Sequence, residues 1–215
     1  MSDIPRHKVF ISYYHADDQY YKNYLTGMNE YIPYFGCQSV FDDYSVHENE
    51  VDDTGLTDEQ VRKIIRDDYI QDATVLVLLC GQNTKRRKHI DWEIHAAMYD
   101  SEANPKMGIL VINLPSISEK QNMIACGNDE EKVMSSAFTK WTPIHKDVAY
   151  IENNYPFLPN RIVVNIARNN VSISVVNWDV IANDAEKLKY LIDKAFQRRK
   201  INNYDHSEPL RRRNS

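Results

Sequence analysis

Four short apolar runs punctuate the first half of the chain, and each interval between them carries an amphipathic repeat. The runs are "KVFISYY" (8–14), "QSVFD" (38–42), "TVLVLLC" (74–80) and "MGILVINLP" (107–115). Each is five to nine residues long, rich in β-branched or aromatic side chains and bounded by polar residues, which predicts strands. The run at 74–80 is apolar without alternation, as expected of a central strand covered on both faces. In the first interval, Tyr20, Tyr24, Met28 and Tyr31 recur every three or four residues and predict a helix over 17–32, capped by Asp17 or Asp18. In the second, Thr57 opens "TDEQVRKIIRDDYI", with Glu59 or Gln60 near the capping-box position and Val61, Ile64, Ile65 and Tyr69 on one face. The third interval holds "HIDWEIHAAM" (89–98), where Ile90, Ile94, Ala97 and Met98 form the apolar stripe.

This β-α-β-α-β-α-β alternation predicts an α/β fold, a parallel sheet with helices on both faces. Past Pro115 the pattern weakens. Residues 116–160 read as a long polar insertion carrying Trp141, Pro143, His145 and "YPFLP". A helix near 160–169, a strand near 171–178 and a helix over 183–200 complete a single domain spanning 1–200. The polar end, 201–215, reads as a mobile tail.

Composition narrows the function. The chain has 215 residues, 42% hydrophobic and 27% charged, with a net charge of −5. That is an ordinary globular composition, and its acidity argues against nonspecific binding to nucleic acid or to anionic membranes. Cys37, Cys80 and Cys126 form no CxxC pair, so neither a disulfide framework nor a zinc site is expected, and the thiols suit a cytoplasmic setting. The first residues, "MSDIPRHKVFISYY", lack the apolar stretch of a secretory signal, and no run reaches transmembrane length.

In an open parallel sheet, ligands bind beyond the carboxyl ends of the strands. The segments expected there are Ser12–Asp18, Asp42–Tyr44, Gly81–Asn83 with the helix that follows, and Asn113. Neither GxGxxG nor GxxxxGK[ST] occurs, and the chain has six glycines, so a phosphate-cradling backbone loop is not expected. A phosphoacceptor receiver would need an aspartate at the end of the third strand, where this chain has "LLCGQN". His89/Glu93 and Asp91/His95 could each share a helix face, yet neither pair is a recognised metal set. No GxSxG is present, and Cys80 sits inside an apolar strand. The carboxylates remain. Glu93 lies at the border of the apolar stripe, with Trp92 pointing away from it. Glu93 can serve acid/base or electrostatic work, or simply complement the helix dipole.

Taken together, "KVFISYYHADD", "VFDD", "VLVLLCGQNT…RKHIDWEI" and "ILVIN" resemble the TIR-like proteins of bacterial Thoeris anti-phage defence, the ThsB type related to Toll/interleukin-1 receptor domains. The resemblance covers residues 8–114 and implies a flavodoxin-like three-layer sandwich. It also implies cleavage of the nicotinamide–ribose bond of NAD, with Glu93 as the catalytic carboxylate, NAD as substrate and no separate cofactor. The product would be ADP-ribose or a cyclised or conjugated derivative that activates a ThsA effector, with infection, through a phage component, as the trigger and a homo-oligomer as one form of the protein. Phe10 and Ser12 would line the nucleotide cleft, although Phe10 is equally suited to core packing. Asp42 would bond a ribose or adenine group, unless it is an ordinary turn residue. Asn113, an amide ending an apolar strand, needs a partner, and a ligand is one. Trp92 is expected to pack against the insertion or a neighbouring subunit. "KRRK" (85–88) is a solvated face or a phosphate site. The loop after the second strand is acidic and lacks the proline–glycine signature of many TIR domains, so assembly need not follow theirs. The rival from another class is a catalytically silent TIR-like interaction module. A flavin-binding flavodoxin relative is disfavoured by "SYYHADD", which lacks a hydroxyl- and glycine-rich phosphate loop.

Overall fold

The computed structural model describes residues 4–31, 38–45, 54–70, 72–102, 104–134 and 147–214. Cys37, Trp141, Pro143 and His145 lie outside the described residues. A five-stranded parallel sheet runs in the order β2-β1-β3-β4-β5, with β1 at Lys8–Ser12, β2 at Asp42–Asp43, β3 at Val75–Cys80, β4 at Gly108–Asn113 and β5 at Ser174–Asn177. The helices are α1 (His15–Tyr31), α2 (Asp58–Ile64, running into a π turn at Ile65–Tyr69), α3 (Lys88–Met98), α4 (Asn128–Met134), α5 (Val148–Asn154), α6 (Asn160–Ile166), α7 (Trp178–Ile181) and α8 (Ala185–Arg198).

Period-two alternation in the strands feeds two cores, one on each face of the sheet. Val9, Ile11, Val77 and Leu79 pack with Leu25 of α1 and Leu188, Leu191 and Ile192 of α8. Phe10, Leu76, Leu78 and Val111 pack with Val61 of α2, Ile90 and Ile94 of α3 and Ile162 of α6. The chain therefore forms the α/β sandwich expected of its pattern. Gly108 shows how closely one layer sits on another, since a Cβ there would lie 2.0 Å from the Ala195 carbonyl oxygen of α8. Thr57 and Gln60 close the capping box that starts α2, the Thr57 hydroxyl accepting from the Gln60 N–H and the Gln60 side chain from the Thr57 N–H.

Three regions depart from the sequence expectation. The strand expected at 38–42 is two residues long and shifted to 42–43, because Asn29 of α1 takes the backbone groups of Val40 and Phe41 before they can join a ladder. The segment taken for a polar insertion contributes Ile117, Met123, Ile124, Met134, Ile151, Tyr155 and Leu158 to the core. It is stitched to the sheet by an antiparallel bridge between Ile124 and Val175 and by the buried Glu130. That carboxylate accepts from Arg198 at 2.7 Å and from the Ser174 hydroxyl at 2.8 Å. Its many charges and its lack of period hid those anchors.

The third departure is the end of the chain. Residues 202–211 lie packed along the protein, with Asn202, Tyr204 and Leu210 buried. The Tyr204 hydroxyl donates to the Met107 carbonyl at 3.0 Å, and Asn165 exchanges hydrogen bonds with the Asp205 backbone. A mobile tail was expected because apolar residues are few there. Buried polar side chains of the body instead satisfy its backbone, so sparse apolar anchors suffice.

Candidate functional site

Parity along β1 places the first site residue. Phe10 and Ser12 point to the α3 side of the sheet, while Val9 and Ile11 point to the α1 side. Phe10 is 5% exposed in mid-strand and belongs to the core around α3. Ser12 ends the strand, buried, and its hydroxyl donates to Glu93 Oε2 at 2.6 Å. Two residues 81 apart in sequence thus meet at the carboxyl end of β1. Here the sheet order switches, since β1 lies between β2 and β3, and this is where an open parallel sheet presents its ligand crevice.

Glu93 reaches this point from the first half of α3, whose Ile90, Ile94, Ala97 and Met98 are buried as the wheel requires. Glu93 itself is half-buried. Burial disfavours its charged form and pushes its pKa from 4.5 up to about 7, against the Ser12 hydrogen bond, which favours the carboxylate. A carboxyl that titrates near neutrality at the mouth of a sheet crevice is suited to acid/base or electrostatic work.

The neighbouring carboxylate of the same helix does something else. Asp91 is gripped by the buried Arg161 of α6, Nε to Oδ1 at 3.0 Å and Nη2 to Oδ2 at 3.1 Å. The Arg211 N–H donates to the same Oδ2 at 2.9 Å. Arg161 also donates to the Glu208 and Pro209 carbonyls, so the end of the chain is laced to α3 through this one guanidinium. Trp92, between the two carboxylates, is fully buried and donates from Nε1 to the Arg211 carbonyl at 2.8 Å. It packs beneath the C-terminal segment.

Two expected site residues lie elsewhere. Asp42 pairs in register with Lys8, four residues below Ser12, or about 13 Å down the strand. A strand that ended at Asp42 would put its carboxylate at the crevice. The strand begins at Asp42, and its carboxylate meets Arg6 Nε at 3.4 Å, at the opposite end of the sheet. Asn113 does end β4, but its amide is satisfied by the protein itself. It donates to Asn177 Oδ1 at 2.9 Å and to the Asn122 carbonyl at 3.4 Å, and accepts from Gln121 at 2.5 Å. It ties β4 to β5 and to the loop above them.

Three further residues meet at the crevice, two of them within the segment Ser12–Asp18 expected there but not singled out as site residues. Asp18, considered as a helix cap, is buried one turn into α1 and packed so tightly on Gly81 that a Cβ there would lie 2.7 Å from its Oδ1. Burial, reinforced by Asp17, raises its pKa to about 6, and its Oδ2 has no hydrogen-bond partner. Tyr14 follows Ser12 at the same parity and is partly buried against the α3 core. The Arg87 guanidinium lies 3.7 Å from the centroid of its ring. Parity alone could have brought Tyr14 to notice. Cys80 is no nucleophile, because burial drives its thiol pKa well up and it donates to the Phe157 carbonyl. Among the described residues no group of three or more His, Cys, Asp or Glu side chains could hold a metal ion, and no helix is long and apolar enough to cross a membrane.

Comparison with known proteins agrees with this geometry. The family model of the TIR-like domain of the Thoeris protein ThsB matches residues 10–119, just over half of the chain, a span that includes Ser12, Arg87 and Glu93. No curated protein and no solved structure gives a match. With its parallel sheet, its carboxylate at the switch point and this family match, the chain belongs to the ThsB TIR-like family of Thoeris defence.

Proposed function

We propose that the protein consumes NAD, breaking the nicotinamide–ribose bond and passing an ADP-ribose-derived signal to a ThsA-type effector. The observation that carries this is the Ser12–Glu93 hydrogen bond at the carboxyl end of β1. Nicotinamide is a cationic leaving group and departs neutral with the electron pair of the broken C–N bond. The enzyme has therefore mainly to stabilise the positive ribosyl centre and to position a nucleophile. Glu93 as carboxylate meets that charge, much as a glycosidase carboxylate does. A bound cation nearby lowers the Glu93 pKa from its ligand-free value near 7, so substrate binding favours the form that the chemistry needs. Water attacking the ribosyl carbon gives ADP-ribose, whereas a hydroxyl or ring nitrogen held in its place gives a cyclised or conjugated product.

The rival, a catalytically silent interaction module, draws support from Asp42 and Asn113. With Asp42 at the far end of the sheet and Asn113 fully occupied, the convergence of polar groups on the crevice reduces to Ser12, Glu93 and the residues around Tyr14. Mass spectrometry of nucleotides from phage-infected cells separates the two readings. Wild type is expected to accumulate a new ADP-ribose-derived species that cells expressing Glu93→Gln lack. Identical profiles, with both proteins folded and infection verified, favour the module.

A further inference from the structure

The Ser12–Glu93 pair accounts for the ribosyl end of a dinucleotide and leaves its phosphates without a partner. We propose that Arg87, lying flat on Tyr14, is the diphosphate-binding residue of this site. The identity of the dinucleotide rests on the NAD reading, whereas the anion subsite stands on its own geometry.

Arg87 is the residue immediately before α3, at the end of the connection from β3. Its guanidinium covers the Tyr14 ring at 3.7 Å, and Tyr14 is two residues beyond Ser12 on the same side of the sheet. Stacking engages one flat face of the guanidinium and leaves its in-plane N–H donors unused by the ring, the arrangement that suits bidentate contact with phosphate oxygens. The Nε atom is buried and has no hydrogen-bond partner. Among the described residues no carboxylate pairs with this guanidinium, in contrast to the buried Arg161 and the partly buried Arg198, which meet Asp91 and Glu130. An unpaired, partly desolvated cation is costly unless an anion completes it. The acidic residues in the first turn of α1 do not pair with it: Asp17 accepts from Asn83 at 2.8 Å, and Asp18 packs on Gly81. The positive end of the α3 dipole adds to the field at the same point.

The placement also fits. Arg87 stacks on Tyr14, two residues beyond the Ser12 that bonds Glu93, so the guanidinium and the carboxylate both meet the carboxyl end of β1. A dinucleotide with its scissile bond at Glu93 thereby brings its diphosphate to Arg87. Tyr14 holds the guanidinium in place beforehand, so binding orders few side-chain rotamers.

The test is calorimetric titration of the full chain with inorganic pyrophosphate at low ionic strength, on variants whose melting matches the wild type. Arg87→Gln is expected to weaken pyrophosphate affinity at least about tenfold. Arg87→Lys, which keeps the charge but loses the plane, should fall between, and Tyr14→Phe should bind like the wild type while Tyr14→Leu weakens. NAD and nicotinamide riboside, which lacks phosphate, are then titrated in parallel. Arg87→Gln should weaken NAD and spare the riboside, whereas Glu93→Gln weakens both. Failure of the wild type to bind pyrophosphate, or equal binding by Arg87→Gln, overturns the subsite. If NAD affinity survives Arg87→Gln but not Glu93→Gln, the subsite falls and the NAD reading stands. If pyrophosphate binding depends on Arg87 yet NAD does not bind, the subsite stands and the NAD reading falls.

Discussion

Asp91 and Glu93 are two residues apart on α3, about 200° around the helix, and the protein treats them in opposite ways. Asp91 turns toward α6 and is enclosed by a buried guanidinium and a backbone N–H, its charge matched there. Glu93 turns toward the sheet and finds one serine hydroxyl, with burial raising the cost of its charge. The first carboxylate holds the helix in place, and the second is held, at some cost, in a position where charge is useful. Acidic residues near a helix start are ordinarily read together as dipole partners, although only Asp91 lies in the first turn of α3. Here the partner, not the position along the helix, decides which one is structural.

The largest expected break in this comparison is on the Asp91 side. Arg161→Ala leaves a partly buried carboxylate without its partner and frees the carbonyls of Glu208 and Pro209. Unfolding in urea should show a loss of roughly 3–5 kcal/mol. A loss below about 1 kcal/mol would mean that the pair behaves as a surface salt bridge.

On the Glu93 side the sign reverses. Its folded pKa, about 7, lies above the unfolded 4.5, so the folded state binds the extra proton between these values. No penalty exists below pH 4.5. It builds as pH rises through the window and is complete above pH 7. Glu93→Gln keeps an acceptor for Ser12 and removes the titration. Relative to wild type it should be about equally stable at pH 4 and more stable at pH 8, by roughly 2 kcal/mol for a half-buried group. Parallel stability–pH curves for the two proteins would show that Glu93 is not held at a cost.

Ser12→Ala sharpens the comparison with the smallest effect. The Ser12 hydroxyl favours the Glu93 carboxylate, so on the proposed NAD reading its loss is expected to move the acid limb of turnover to higher pH. The pH dependence of kcat/KM, which reports the free enzyme, measures it, and an unmoved limb would remove Ser12 from any role in setting the Glu93 charge.

Much of this fold is legible in the pattern of the chain. The apolar run of β3 has no polar gap because both its faces are covered, and the α3 stripe of Ile90, Ile94, Ala97 and Met98 is buried as its spacing demands. Ser12 and Glu93 were also legible, one as a strand end and the other at a stripe border. What the pattern could not carry is register and cover. Asp42 follows a short apolar run whether the ladder ends or begins there, and Asn29, a polar residue of α1, made the difference. Trp92 lies off the stripe and is covered by a segment with almost no apolar residues, joined to it through backbone carbonyls. Hydrogen bonds between distant backbone and side chain leave no periodic trace in sequence.

The lacing of α3 has a consequence for the order of events in making the protein. The indole of Trp92 and the carboxylate of Asp91 find their backbone partners 119 and 120 residues later, both at Arg211. Until that residue has left the ribosome, the helix that carries Glu93 has an open flank and an incompletely partnered aspartate. A growing chain therefore holds all five strands of its sheet before it holds the residue that closes the flank of α3. For the same reason a bulky fusion or a cut near residue 211 disturbs the crevice far more than its distance from Ser12 along the chain suggests.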